Sequence, residues 1–162
     1  MKKYTLLTLL LFFVHLNVVV SQSNLVFTDS VKITKTNTNI RSNIEHWYSN
    51  ENNIHISVLR TDGKSYIGVA SLYYPNHSKY IEGYVNFKFT ITIKENYLYI
   101  RYYNLIHTSD NISFGLLLKN QPNLSNNCYL HADICKVLWN DLIEYLTNHL
   151  MITTADLKYY FK

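Results

Sequence analysis

The chain has 162 residues and a formal net charge of +4 at pH 7, with 15 basic and 11 acidic side chains. This balance is too weak for nucleic acid or an anionic membrane to be the main partner, because both need concentrated Lys and Arg. The four glycines of the chain cannot assemble a Gly-rich phosphate-binding loop. No internal repeat, heptad run or Pro/Gly/Ser linker divides the sequence, so one domain is expected.

The first 21 residues have the pattern of a secretory signal peptide. Lys2 and Lys3 precede an apolar run from Tyr4 to Val20, and the run ends in residues that suit cleavage after Ser21. The alternative is an uncleaved membrane anchor, but the run of about 17 residues is interrupted by a His and an Asn and is shorter than the ~20 that a bilayer requires. Cleavage removes both lysines and leaves 13 basic against 11 acidic groups, a net charge of +2. The product, residues 22–162, is expected to be a single exported domain that is periplasmic or secreted.

A strand and a helix are predicted at the start of the mature chain. The residues from Leu25 to Thr34 are β-branched and roughly alternate between apolar and polar. Apolar side chains between Ile40 and Tyr48 recur at the spacing of one helical face. Either Asn39 or Ser42 is expected to cap this helix, and Ser42 with Glu45 fits a capping box. The helix of about three turns therefore has an apolar stripe that another element must cover.

The first of two predicted hairpins joins strands 54–60 and 65–74. Asp62-Gly63 between them is a dipeptide that favours a two-residue type I′ turn. Directly opposed residues share a face, and counting outward from this turn gives an apolar face that is expected to belong to the core: Ile54, Ile56, Val58, Ile67 and Val69. The other face carries His55, Ser57, Leu59, Tyr66, Gly68 and Ala70.

The second predicted hairpin spans Val85 to Ile106 and turns at Glu95-Asn96, because Asn tolerates positive φ. Its register opposes apolar or aromatic residues along one face: Ile93 with Leu98, Ile91 with Ile100, Phe89 with Tyr102 and Val85 with Ile106. A shift of one residue would invert every side chain, so the agreement of both strands predicts that this face is core. The opposite face carries Lys88, Thr90, Thr92, Lys94, Tyr97, Tyr99, Arg101 and Tyr103.

The C-terminal third is predicted to be mainly helical. An irregular stretch follows His107 and contains an apolar island, Phe114–Leu118, that the pattern does not place. A long helix is predicted from about Ile134 to Met151, and Thr153–Asp156 is expected to cap a short last helix through Tyr160. The helices are expected to share the one apolar face of the sheet. The stripe predicted to face the core is Ile134, Val137, Leu138, Leu142, Tyr145 and Leu146.

The order β-α-β-β-β-β-α behind a signal peptide is the basis of a resemblance to a known family. Trp47 lies near the end of the first helix, Gly68 lies in the third strand, and residues 83–107 read GYVNFKFTITIKENYLYIRYYNLIH. In these features the chain resembles a family of short exported bacterial proteins, a domain of unknown function with a TATA-binding-protein-like (TBP-like) fold. The resemblance covers Phe27 to His107. It implies an α+β fold with a curved antiparallel sheet and helices on one face, and it implies no activity.

The two cysteines, Cys128 and Cys135, are close in sequence, and in an oxidising compartment such a pair most often forms a disulfide. Seven residues along a helix rise about 10.5 Å, beyond the ~7 Å limit between bridged Cα atoms, so a bridge requires a turn between the cysteines. Free thiols are one alternative. The other is a zinc site, although the spacing matches no strong template, with these ligands: Cys128, His131 and Cys135, and Asp133 or His149 as the fourth.

Catalytic motifs are missing from the sequence. It has no G-x-S-x-G elbow, no HExxH and no acidic pair whose spacing fixes it on one face. A non-enzymatic binding protein without a cofactor is therefore predicted. The alternative is a small enzyme or metal-binding protein centred on the zinc-site residues named above. The histidines expected to be ordinary surface residues are His46, His55, His77 and His107.

The open sheet face is the predicted partner surface. Tyr gives a large contact area and a hydroxyl at low entropic cost, as in surfaces that bind peptides, glycans or an envelope or extracellular protein. The competing interpretation is an ordinary strand face, since Tyr and Thr suit a pleated surface, or a face covered by Thr108–Asn127. DNA is not expected as a partner, because the patch lacks dense Lys and Arg. The candidate binding residues are Lys88, Tyr97, Tyr99, Arg101, Tyr103 and Tyr66.

Overall fold

The computed structural model describes residues 23–33, 40–52, 54–63, 65–75, 79–119 and 128–161. These residues form a six-stranded antiparallel open sheet and two helices, so the α+β class predicted from the sequence is confirmed. The predicted signal peptide, Asn39 and His77 lie outside the described residues. In chain order the elements are β1 Phe27–Lys32, α1 Ile40–Asn50, β2 His55–Thr61, β3 Ser65–Tyr74, β4 Gly83–Lys94, β5 Tyr97–Ser109, β6 Gly115–Leu116 and α2 Ala132–Tyr159.

The strand order is β1-β5-β4-β3-β2, and β6 pairs with β5 beyond the end of β1. Because β4 occupies the whole of the other edge of β5, β1 and β6 share one edge. The N-terminal residues continue this pairing, since the Leu25 N–H donates to the Leu117 carbonyl at 2.9 Å and the Lys119 N–H donates to the Ser23 carbonyl at 2.9 Å. The apolar island that the sequence did not place is therefore an edge segment of the sheet, with Phe114 and Leu117 fully buried.

Both helices pack on the same face of the sheet, as predicted. The Trp47 ring of α1 lies edge-on to Phe89 of β4, with ring centroids 6.0 Å apart. From α2, the Thr154 hydroxyl lies 3.0 Å from the Tyr102 hydroxyl of β5. The neighbouring core residue Ile91 is fully buried. The sheet therefore has a helix side, which is core, and a second side, which is called the open face below.

The register of the second hairpin is confirmed from its turn to the pair Lys88 and Tyr103. The positive φ of the turn falls on Glu95, at 52°, and not on Asn96 as expected. Beyond Tyr103 the strand bulges at Asn104, which has φ 54° and supplies an extra residue opposite β4. The predicted pair of Val85 with Ile106 is therefore wrong: Asn86 pairs with Ile106, which is exposed, and Val85 pairs with His107, which is buried.

The first hairpin has the opposite orientation from the prediction. Its turn is centred one residue later, because the Asp62 N–H donates to the Ser65 carbonyl at 3.1 Å. The face predicted as core is the open face at three positions, Val58, Ile67 and Val69. A bulge between Ile56 and Val58 shifts the alternation of β2, so that Ile54 and Ile56 still pack on the helix side. The residues of β3 that do face the core are Tyr66, Gly68, Ala70, Leu72 and Tyr74.

Pairing with β4 determines this orientation. Gly68 lies opposite Phe89 and Tyr66 lies opposite Ile91, and both β4 residues are fully buried. Each antiparallel pair shares a face, so the core face of β4 places the even-numbered residues of β3 on the helix side. The composition of the first hairpin alone favoured the wrong side, because Ile67 and Val69 of β3 are more apolar than Gly68 and Ala70 between and beside them.

A single 28-residue helix, α2, replaces the two predicted C-terminal helices. Thr153 and Thr154 are buried inside it, and the Thr154 hydroxyl donates to the Leu150 carbonyl at 2.9 Å, four residues earlier. This internal bond lets the threonine continue the helix in place of capping a new one. Ser42 likewise lies inside α1 and is not its cap. Ile134 and Val137 are exposed, and the buried stripe is Cys135, Leu138, Trp139, Leu142, Leu146, Leu150 and Leu157.

A disulfide joins Cys128 to Cys135, with the two Cα atoms 6.3 Å apart. Cys128 precedes the helix, which begins at Ala132, so the turn that the spacing demanded is present. Cys135 is buried in the first turns of α2. The bridge therefore fastens the segment that enters α2 to the helix itself.

Replacing both cysteines by Ser (Cys128→Ser with Cys135→Ser) is expected to lower the free energy of unfolding by about 2.5 kcal/mol, because the short loop would regain its freedom in the unfolded state. Urea unfolding with and without reductant measures this change. Reductant should lower the midpoint of the wild-type protein and leave that of the double variant unchanged. A wild-type midpoint that does not respond to complete reduction would contradict the expectation.

Candidate functional site

Strands β4 and β5 place five of the six candidate residues together on the open face. The register opposes Lys88 to Tyr103, and Arg101 and Tyr99 follow at alternate positions along β5. The side chains stay accessible, with Tyr99 46% and Tyr97 37% exposed. Because side chains alternate across a strand, the same pairing that buries the core face presents these residues on the other side.

Tyr66, the sixth candidate, does not belong to this surface. It pairs with Ile91 on the helix side and is buried there. Burial raises the pKa of its hydroxyl, an effect that the nearby Arg41 of α1 opposes. The prediction placed it on the open face because the first hairpin was assigned the wrong orientation.

The rings of the open face are in contact with its cations. The Lys94 Nζ lies 5.9 Å from the centroid of the Tyr99 ring, and the Arg101 Cζ lies 5.3 Å from that of Tyr103. The Tyr97 and Tyr99 rings are neighbours, with centroids 6.1 Å apart. Both cation distances are within the ~6 Å over which a cation is attracted to an aromatic ring. These contacts place the cations and the rings side by side on the open face.

The charged side chains at the strand positions of the open face are all positive. Strands β2, β3, β4 and β5 contain no Asp or Glu. Asp29 of β1 pairs with Ile100 and so lies on the helix side, where its carboxylate is 3.7 Å from the Lys158 Nζ of α2. The described strand positions of the open face carry five cations, Lys32, Arg60, Lys88, Lys94 and Arg101.

An apolar strip that sequence reasoning missed adjoins the cations. Val58 and Val69 are direct partners across β2 and β3, and Ile67 lies beside them with 40% of its surface exposed. Val69 is also opposite Lys88 of β4, so the strip is continuous with the tyrosine and lysine rows. Gly68 was the available signal, since a glycine between two β-branched residues marks a close approach on its own side of the strand.

The described part of the segment after β5 does not cover the open face. Phe114 packs against His107, with ring centroids 5.6 Å apart, and against Trp139 of α2, with centroids 5.5 Å apart. Both contacts are on the helix side. Residues 120–127, the rest of the segment predicted as a possible cover, lie outside the described residues.

The alternative zinc site is not assembled. Cys128 and Cys135 are joined to each other, and a disulfide leaves no thiolate to bind a metal. Across the described ranges, no group of three or more His, Cys, Asp or Glu side chains is arranged to hold a metal ion. His46 and His55 are exposed as predicted, whereas His107 is fully buried, which corrects its assignment to the surface.

Comparison with known protein families, curated proteins and solved structures found no match to this chain. Within the part of the chain that the structure describes, no helix combines the length and apolarity needed to cross a membrane. The functional assignment below therefore depends on the geometry of the open face.

Proposed function

We propose that the protein is an exported, non-enzymatic binding module that holds an acidic surface of an envelope or extracellular protein on its open face. One observation carries the proposal: the strand positions of that face combine five cations with exposed tyrosine rings and contain no carboxylate. Charge complementarity of this kind speeds association and selects the partner. A neutral or basic partner would leave the cations unmatched.

The composition of the face fits a protein partner. Tyr and Arg are among the residues most often responsible for binding energy at protein interfaces, and here Arg101 and three tyrosines lie on the open face of one strand. The apolar strip of Val58, Ile67 and Val69 adds surface that gains stability when it leaves water. The rings and cations already lie in contact, so one ligand group can meet both at once.

Export and the TBP-like fold are parts of the same proposal. The Cys128–Cys135 disulfide suits an oxidising compartment, periplasmic or extracellular, and agrees with the signal-peptide pattern of the first 21 residues. The element order matches β-α-β-β-β-β-α apart from the added two-residue strand β6, and both helices lie on one side of the sheet; these features support the TBP-like assignment. The fold itself carries no function, so the partner is inferred from the surface alone.

Tyr99→Ala and Arg101→Ala are each expected to weaken capture of a partner from envelope extract at least tenfold, about 1.4 kcal/mol, because each removes a contact at the centre of the surface. Capture should also fall with added salt. Pull-down with immobilised protein, quantified over a dilution series, measures both effects. The melting temperatures of the variants should stay near that of the wild type.

Matched controls are available on the far side of the molecule. Arg41→Ala removes an exposed cation from α1, and Tyr129→Ala removes a tyrosine that is 72% exposed. Neither is expected to change capture. If the controls and the open-face variants behave alike, or if Tyr99→Ala and Arg101→Ala unfold the protein, the open face is structural and the proposal is wrong.

A further inference from the structure

A second candidate site lies at the end of the sheet where β3 finishes and β4 begins. It is a cleft of about 460 Å³ between the start of β4, the end of β5 and the residues that flank them. Its size is within the range of roughly 300–1,000 Å³ that is typical of small-molecule sites. We propose that this cleft binds a neutral saccharide, an inference that goes beyond the function proposed above and depends on different residues. The side chains that carry it are Tyr73, Lys79, Glu82, Tyr84, Asp110 and Asn111.

Two tyrosine rings form the platform of the cleft. Tyr73 and Tyr84 are direct partners across β3 and β4, and their ring centroids are 5.3 Å apart. They are 43% and 53% exposed and their planes are inclined at 58°, so each ring offers its own exposed surface to a ligand. A pyranose ring presents a flat row of C–H groups on one side, and covering an aromatic ring with such a surface removes apolar area from water.

Polar groups around the rings match the hydroxyls of a sugar. The Tyr73 hydroxyl donates to the Glu82 carboxylate, which fixes the position of both groups. The Asn111 side-chain amide donates to the Lys79 carbonyl at 2.9 Å, so its orientation is fixed as well. A carboxylate that already accepts one hydrogen bond retains lone pairs for others. Glu82, Asp110 and Asn111 therefore offer acceptors within the same cleft as the rings.

The backbone of the cleft is held in a fixed shape. A Cβ added at Gly83 would lie 2.0 Å from the Thr108 carbonyl oxygen, so the close approach of β4 and β5 at this point requires glycine. Lys79 has φ 57°, a conformation that non-glycine residues adopt only where the surrounding structure imposes it. A site fixed before binding loses less entropy when a ligand enters.

The charges of the cleft disfavour an anionic ligand. Lys79 supplies one cation, whereas Glu82 and Asp110 supply two carboxylates. An anionic sugar would meet net repulsion from this set. The cleft thus differs in sign from the strand positions of the open face, where the five cations lie. Aromatic rings combined with carboxylate and amide acceptors suit an uncharged molecule with many hydroxyls.

Titration of the ¹⁵N-labelled protein with cellobiose, maltose, lactose and chitobiose, each to millimolar concentration, tests the inference by NMR. At least one disaccharide is expected to shift the amide signals of Gly83, Tyr84 and the residues 108–111. Tyr84→Ala, which removes half of the platform, is expected to weaken binding at least tenfold. Glu82→Gln keeps the shape of the side chain and removes its charge, and it should weaken binding in the same direction without affecting folding.

Tyr99→Ala serves as the control, because it lies on the open face outside the cleft and should leave saccharide binding unchanged. This arm separates the two proposals, since the same variant is expected to weaken capture of the acidic protein partner at least tenfold. Absence of shifts with all four disaccharides overturns the saccharide site, as do shifts that persist unchanged in both cleft variants. Tighter binding of glucuronate than of the neutral sugars would overturn the assignment to a neutral ligand.

Discussion

Replacing His107 by Ala is expected to lower the free energy of unfolding by about 4 kcal/mol. The side chain is fully buried, and each ring nitrogen has a backbone partner: Nδ1 accepts from the Phe114 N–H at 3.1 Å, and Nε2 lies 2.9 Å from the Ile81 carbonyl. Because Nδ1 accepts, the proton is on Nε2, which donates to Ile81. Alanine would leave two buried backbone groups without partners, at about 1–3 kcal/mol each, and would also leave a cavity. Urea unfolding measures the change.

His55→Ala is the matched control, because His55 is exposed at the edge strand β2 and should change stability by less than about 0.5 kcal/mol. Two buried hydrogen bonds from one ring also explain why the segment after β5 follows the sheet. They connect that strand to residues on both sides, Ile81 before β4 and Phe114 before β6. If the two histidine variants were equally stable, these bonds would not contribute to folding.

The same residue gives the stability a defined dependence on pH. Burial lowers the pKa of His107 below its ordinary value, and the hydrogen bond to Ile81 offsets part of this effect. As pH falls below about 6.5, the unfolded chain binds a proton at this position while the folded protein does not, so the wild type loses stability. The His107→Ala variant has no histidine at this position, so its stability does not fall with pH for this reason. Above pH ~6.5 the free energy of unfolding of the wild type should therefore exceed that of the variant by the full amount. Below that pH the difference should become smaller. It should stop decreasing once the pH is below the lowered pKa of His107 in the folded protein.

The sequence correctly predicted those elements whose structure depends on residues that are close together in the chain. Helix α1 has its buried residues, Ile44 and Trp47, at the helical spacing that the sequence shows. The register of β4 with β5 was correct near the turn, because one short connection fixes it. Five of the six candidate residues were assigned to the correct side of the sheet for the same reason. The predicted register is wrong beyond Asn104, because the positive φ of this residue reverses the side of the sheet on which the following side chains lie.

The errors come from contacts that are distant in sequence. Asn104 is a residue type that tolerates positive φ, but a bulge at this position was not predicted, so Ile106 and His107 were assigned to the wrong sides. Thr153 and Thr154 resemble a helix cap in sequence and are helix interior in the structure, because Tyr102 and the helix backbone bond the second hydroxyl. For Thr154 the Tyr102 hydroxyl is the distant partner that overrides the local preference.

The orientation of the first hairpin is the error with the largest consequence for the candidate site. The wrong orientation assigned Tyr66 to the open face and left the apolar strip of Val58, Ile67 and Val69 out of that face. The residue that resolves the orientation is Gly68. Glycine weakens a strand, so its presence in the middle of β3 requires a reason, and that reason is the ring of Phe89 directly opposite.

Gly68→Ala is expected to lower the free energy of unfolding by about 3 kcal/mol. An added Cβ would lie 2.1 Å from Cζ and 2.2 Å from Cε1 of Phe89, and that ring is fully buried against Trp47 and Tyr102. A double-mutant cycle with Phe89→Leu isolates the clash, because leucine is smaller at this position. In the Phe89→Leu background, Gly68→Ala should cost less than about 1 kcal/mol by urea unfolding. An equal cost in both backgrounds would show that the ring of Phe89 is not what requires glycine, and the orientation of β3 would then need another explanation.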